Sequence, residues 1–251
     1  MLTIKPNVDK VLPGDIHWPC ELSDTFKSEY AQHLSLATLQ VGHLVGPESG
    51  ALVYVLSGLM LLHWIPDDGR HSKGFIVGQG DWMGHSQLFE SRFELMVRLD
   101  VVEPTTLAFL PRRVAARMGK DSNELYKLAY HVGLERWQSV LQVSHFNHHG
   151  DCRHNVAYAL LDACRRRSRV KGTIPVIRLS QQQLATLTGF GRQRVNEELQ
   201  YFAKREFIEI RRNAIALLNP DAVAECLNVS LLVMDDPRHL ERYPVREQVP
   251  K

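Results

Sequence analysis

No stretch of this chain approaches the roughly 18 consecutive apolar residues that a helix needs to cross a bilayer. Its opening, MLTIKPNVDK, also has none of the apolar core of a signal peptide. Both absences predict a cytoplasmic protein with no membrane partner. Cysteine is scarce: Cys20, Cys152, Cys164 and Cys226 lie far apart and form no CxxC pair. That excludes the common zinc and iron–sulfur spacings and predicts four reduced thiols. Large charge imbalance is missing as well, since the net charge is only +2. A cupin-like metalloenzyme is the enzymatic alternative, but it usually needs a His-x-His pair plus a carboxylate. His43, His63, His71 and His85 are scattered and form no such pair. The expectation is a protein that is not an enzyme.

What the chain does have is size and an uneven spread of charge. Its 251 residues, 44% hydrophobic and 23% charged, allow two domains with separate cores. Between Asp151 and Ser230 there are 13 Lys/Arg and 8 Asp/Glu, whereas the rest of the chain holds 17 and 20. The basic part attracts phosphates, and binding that rests on it weakens with salt. Arg165, Arg166, Arg167, Arg169 and Lys171 supply much of the excess. They follow an apolar helical stretch and are expected to form a solvated helix end.

Inside that basic part, the stretch from Leu179 to Leu218 reads as helix, turn, helix and two-stranded wing. Ser180 and Gln183 have capping-box spacing, Leu184, Ala185 and Leu187 make an apolar face, and Gly189 suits a sharp turn. Val195, Leu199 and Phe202 form the inward stripe of a second helix. Its other face carries Arg192, Gln193, Arg194, Asn196, Glu197 and Gln200. Short apolar runs on either side of Arg211, Arg212 and Asn213 fit a hairpin with a basic tip. This is the layout of a winged helix-turn-helix that inserts its second helix into the major groove of double-stranded DNA. Arg192 suits guanine, Gln193 or Asn196 adenine, and Glu197 the cytosine amine. Ser180, Arg211 and Arg212 are candidates for backbone contacts.

From Leu34 to about Leu110 the pattern changes to short β-rich runs separated by turns, among them ALVYVLSGLMLLHWI, the PDDG hairpin signal and GFIVG. Residues 1 to about 33 read as a lead-in with a short helix near Ser23 to His33. YVLSG, the PDDGR turn and Gly78-Gln79-Gly80-Asp81-Trp82-Met83-Gly84, followed by a long helix and the helix-turn-helix, resemble the CRP/FNR family of catabolite activator and fumarate–nitrate regulators. The resemblance runs from about residue 34 to 225 and implies an α+β fold. An N-terminal double-stranded β-helix (jelly-roll) sensor domain would span residues 1–120, and a dimerisation helix with a hinge 121–150. A winged helix-turn-helix DNA-binding domain would span 151–230, with a tail over 231–251.

That resemblance further implies a homodimeric transcription regulator reading an inverted repeat, with RNA polymerase as a partner. The dimerisation helix is expected over Asn123 to Val143. Leu125, Leu128, Val132, Val140 and Val143 are its candidate seam, and Leu134, Trp137 and Leu141 form an offset stripe. The candidate effector pocket comprises Gly80, Gly84, His85, Arg92 and Glu94. Nucleotide-binding relatives have Gly-Glu and Arg-Ser or Arg-Thr pairs there. Here His85 follows Gly84, and Phe93-Glu94 aligns with the phosphate-binding pair. Burying a cyclic phosphate opposite Glu94 costs several kcal/mol, so cAMP is not expected to bind.

No cofactor is predicted. Haem remains an alternative through His43, His63, His71, His85 or Cys20, and a metal through SHFNHHGDCRH, which holds His145, His148, His149, Cys152 and His154. That segment reads equally as a polar hinge, and a regulator with no effector at all is the other possibility.

Overall fold

The computed structural model describes residues 10–42, 44–45, 52–64, 74–84, 97–167 and 173–238. The chain divides into two compact units, one of residues 1–60 with 77–138 and the other of residues 61–76 with 139–251. Among the described residues no helix is long and apolar enough to cross a membrane.

The larger sheet is built from antiparallel pairs. Strands β1 (Ser35–Leu39), β6 (Val97–Leu110), β3 (Leu52–Trp64) and β4 (Gly74–Gly78) lie in that order, β2 (Leu44–Val45) pairs with β6, and β5 (Trp82–Met83) pairs with β3. Gly58 has a φ of +97°, and a Cβ there would stand 2.4 Å from the Pro104 carbonyl oxygen. Only glycine lets the two strands approach so closely. The motif Gly78 to Asp81 is a tight turn. The Asp81 carboxylate accepts from the Gly78 N–H at 2.8 Å, and Gly80 N–H donates to the Val55 carbonyl at 2.8 Å. Trp82 then turns into an aromatic cluster with Trp18, Tyr30 and Tyr54, its indole donating to the His17 carbonyl. The lead-in supplies helix α1 (Asp24–Gln32), which buries Phe26, Tyr30 and Ala31. Its N-cap Ser23 is held by both oxygens of Glu124, at 2.7 Å each, and those bonds keep the Glu124 carboxyl below its usual range.

After the short helix α2 (Arg112–Asp121), helix α3 runs Glu124–His149. Its residues correct two expectations. Leu125, Leu128 and Val132 are at most 1% exposed and belong to the core of the first unit with Phe26, Tyr54 and Met118, so they are closed to a second chain. Two apolar stripes run along this helix, and spacing alone does not say which one faces its own domain. The compact Leu/Val stripe went inward, while Tyr126, Tyr130, Leu134 and Trp137 remain exposed, the last by 61%. Val140 and Val143 are half-buried. The histidine-rich segment is not a hinge either: His145, His148 and His149 are the last turns of the helix, and only Gly150 and Asp151 separate it from helix α4 (Cys152–Arg165).

In the second unit, α4 is the buried axis, with residues 154–165 all inside. It packs against helices α5 (Gln181–Thr188), α6 (Arg192–Lys204) and α7 (Pro220–Ala224). A three-stranded sheet, β7 (Val176–Ile177), β9 (Ala214–Leu217) and β8 (Ile208–Arg211) in that order, completes the unit. Hairpin β8–β9 turns at Asn213, whose φ is +54°; asparagine tolerates this left-handed conformation better than most residues.

The basic cluster after α4 is not a solvated helix end. Arg165 and Arg166 are each 3% exposed, and both pair with Asp162. Arg165 also grips Asp235 of the C-terminal segment, while Arg167 donates to the Val176 carbonyl. Arg169 and Lys171 lie outside the described residues. Burial is affordable here because each guanidinium meets a carboxylate.

Candidate nucleic-acid interface

The two helices that would face DNA are locally determined. Ser180 Oγ accepts from the Gln183 N–H at 3.2 Å, and Gln183 Oε1 accepts in return from the Ser180 N–H at 2.8 Å, closing the expected capping box of α5. The Ser180 hydroxyl proton stays available to an acceptor such as a phosphate. Gly189 ends α5 at a φ of +73°, the left-handed conformation that the sharp turn requires. Helix α6 then buries Val195, Leu199 and Phe202 completely. Each buried side chain stabilises its seating by about 1.5–3 kcal/mol.

With that stripe inside, Arg192, Gln193, Arg194, Glu197 and Gln200 are exposed and Asn196 is partly covered. Gly191 caps α6 without a side chain, so the first exposed turn carries two guanidiniums and no capping carboxylate. Arg194 lies over the Phe190 ring at 5.6 Å. Gln193 donates to Glu197 at 3.3 Å, and Gln181 of α5 donates to Asn196 Oδ1 at 2.8 Å. Gln181 was missed from the sequence because its significance lies in a contact across 15 residues.

On the other side of α6, Arg153 bonds Glu198 at 2.7 Å, and Arg153 and Arg205 both stack on Tyr201, at 3.7 and 3.8 Å. The Arg153 contacts fasten α6 to α4 without using the exposed face. On the wing, Arg211 pairs with Glu209 at 2.7 Å and Arg212 is exposed.

Of the candidate effector pocket, only Gly80 and Gly84 are described, with φ of +84° and +83°; His85, Arg92 and Glu94 lie outside the described residues. So do His43 and His71. Among the described residues, no three His, Cys, Asp or Glu side chains come together to hold a metal ion. His145 and His149 lie one helical turn apart with ring centroids at 4.8 Å and ring planes tilted by 51°, and His148 bonds the Ser144 carbonyl. His154 points elsewhere: its Nδ1 accepts from the Asn228 N–H at 2.8 Å, and burial lowers its pKa. Burial likewise raises the thiols of Cys20 and Cys226 and pushes Cys152 up to about 11, which disfavours their thiolate forms at neutral pH.

The second unit has a cleft of about 30 Å³ lined by Val143, Phe146, Asn155, Tyr158 and Thr188. That is space for one or two waters, and the buried Asn155 amide has no protein partner for either polar atom. It is too small for a nucleotide.

Residues 155–226 match the Crp-like helix-turn-helix domain family. No curated protein matches the sequence. Solved structures of similar fold include a transcriptional regulator of the CRP/FNR family from Eubacterium rectale, with 18% identity, TM-score 0.62, and coverage of 82% of this chain and 94% of that one. A CRP/FNR-family regulator from Thermus thermophilus is similar at 20% identity and TM-score 0.60, covering 76% and 97%. FixK2 from Bradyrhizobium japonicum is similar at 14% identity and TM-score 0.64, covering 78% and 98%.

Proposed function

We propose that this chain, which has the fold of the CRP/FNR transcription regulators and a Crp-like helix-turn-helix domain over residues 155–226, is a homodimer that reads an inverted-repeat operator. The observation that carries this reading is the division of α6. Its apolar stripe is fully buried, while Arg192, Gln193, Arg194, Glu197 and Gln200 are left on one exposed face. An ordinary αα-hairpin has no need for two arginines and a glutamine in the first exposed turn. A two-fold dimer places two such helices about one turn of duplex, roughly 34 Å, apart. Arg192, Gln193 and Glu197 reach base edges, and Ser180, Arg194, Gln200, Arg211 and Arg212 contact the backbone.

Dimerisation uses the outward stripe of α3. Tyr126, Tyr130, Leu134 and Trp137 recur at intervals of four, four and three residues, and each is at least 40% exposed. A second copy of the same stripe covers them, as in a short coiled-coil seam. Regulation requires contact with RNA polymerase, and the chain itself performs no chemistry. The sequence at His85 and Phe93-Glu94 favours a regulator that does not use cAMP. Its effector is a different molecule, haem or a metal among them, or none.

Selection from random duplex DNA by the purified protein, without ligand and again with cAMP, tests this reading. Enrichment of one inverted repeat in both arms supports a cAMP-independent regulator. Enrichment with cAMP alone overturns the reading of the effector site, and enrichment in neither arm, with no ligand co-purifying in native mass spectrometry, overturns DNA recognition. Arg192→Ala is expected to cost about 1–3 kcal/mol of operator binding and to relax one base position. Equal loss on random DNA refutes its role in base reading.

A further inference from the structure

We infer that His145 and His149, one helical turn apart at the end of α3, form a two-imidazole site for a divalent transition metal of the nickel, copper and zinc kind. The site does not depend on the DNA-binding reading. Two histidines at i and i+4 share one face of a helix and can chelate a single ion. Their ring centroids are 4.8 Å apart, with the planes tilted by 51°. A metal about 2.0–2.1 Å from one nitrogen of each ring stands about 3.2 Å from each centroid. The observed separation then corresponds to an N–metal–N angle of roughly 100°, between the octahedral and tetrahedral values. His149 is exposed and His145 partly so, which lets an ion reach both rings from solvent.

The neighbouring candidates stay out of this site. His148 Nδ1 bonds the Ser144 carbonyl at 2.7 Å, and its ring centroid lies 6.4 Å from that of His149. At that distance the two bonds to a shared ion would have to lie nearly in line. Cys152 and His154 are buried, and His154 Nδ1 takes the Asn228 N–H. With two protein ligands the other coordination positions go to water, so the ion is exchangeable, unlike a closed structural zinc. Imidazole nitrogens select nickel, copper and zinc over magnesium.

The position gives the ion a mechanical effect. Between the two histidines sits Phe146, buried against Tyr158 of α4 with ring centroids at 4.2 Å. Its carbonyl accepts from the Gly150 N–H at 2.7 Å, and only Gly150 and Asp151 separate the two helices. An ion held by both rings ties the last turn of α3 across its outer face and keeps it wound. Because the closed turn binds the metal and the open one does not, opening slows by the factor 1 + [metal]/Kd.

Calorimetric titration of nickel chloride into the full-length, untagged protein tests the site. His145→Asn and His149→Asn are each expected to weaken binding by roughly tenfold or more, since the second ring no longer chelates. His148→Asn leaves it unchanged, and magnesium chloride does not bind there. His149→Cys, which keeps a metal ligand at that position, retains zinc binding. At a nickel concentration ten times Kd, amide exchange in the last turn of α3 is expected to slow about tenfold in the native protein and to stay unmoved in His149→Asn. No nickel uptake by the native protein at roughly 0.1 mM overturns the site. So does uptake that both His145→Asn and His149→Asn retain in full, which places the ion on other histidines. An equal loss in His148→Asn overturns the two-ring assignment, and unchanged exchange with nickel bound overturns the mechanical effect.

Discussion

Replacing Asp235 by alanine strikes the densest charge network in the second unit. Arg165 donates Nη1 to Asp235 Oδ1 at 2.8 Å and Nη2 to Oδ2, and Tyr158 adds a longer bond of 3.4 Å to Oδ2. In the native arrangement, two guanidiniums with side chains only 2% and 3% exposed face two carboxylates, Asp162 and Asp235. Without Asp235, Arg165 loses its bonds to that carboxylate and leans on Asp162, which Arg166 also uses. Breaking a fully buried pair costs about 3–5 kcal/mol. Asp235 is 19% exposed, so water recovers part of that, and a loss of about 2–3 kcal/mol is expected. With a urea slope of about 2 kcal/mol per molar, the unfolding midpoint followed by circular dichroism falls by roughly 1 M. Adding Arg165→Met to Asp235→Ala removes the surplus cation and recovers most of the loss, since Asp162 then pairs with Arg166 alone. A midpoint shift of Asp235→Ala below about 0.2 M, or a double variant weaker than either single one, refutes this account of the network.

Trp137→Glu places charges on the exposed stripe of α3 and is expected to yield monomers in size-exclusion chromatography with light scattering, with helical content unchanged; a persistent dimer refutes the proposed seam. Gly58→Ala forces a Cβ to within 2.4 Å of backbone oxygen at a φ of +97° and is expected to cost about 3 kcal/mol or more in thermal or urea unfolding; a native midpoint contradicts the close strand approach. His154 is buried with a lowered pKa, so the unfolded chain takes up the proton first as pH falls. The stability tied to its neutral form is full above about pH 6.5 and declines as pH drops towards the lower folded value. His154→Asn keeps an acceptor for the Asn228 N–H and should flatten that decline in urea midpoints measured from about pH 7.5 to 5.5; an unchanged slope sinks the assignment.

The helix-turn-helix was legible because its determinants are local. A capping box, a left-handed glycine and an i, i+4, i+7 stripe are fixed by residues within a few positions of one another, and Ser180, Gly189 and Val195 do what their spacing implies. Strand character and the Gly80-Asp81-Trp82 turn were visible for the same reason. Which stripe of α3 turns inward was not, because Leu125 and Trp137 are both apolar and only tertiary packing distinguishes them. Arginine clusters are read by default as solvated or phosphate-facing. Asp235, 70 residues away from Arg165, helps turn Arg165 and Arg166 into core residues, so part of the positive excess counted in this region never reaches the surface. Gln181 escaped notice through the same blindness to distant partners.

Gln142, on helix α3, is fully buried; it donates to the Leu231 carbonyl at 2.7 Å and accepts from the N–H groups of Met234 and Asp235 at 2.5 and 2.9 Å. These three bonds close a loop of roughly ninety residues at its base. The second unit is therefore closed by chain on both sides of the recognisable motif, with Gln142 before it and residues 231–235 after it. A fragment cut at residues 155 and 226 would expose the floor of α4 and take Asp235 from Arg165, leaving Asp162 as the carboxylate that Arg165 and Arg166 share. Any fragment meant to keep this fold must carry the last turns of the preceding helix and the C-terminal segment along with it.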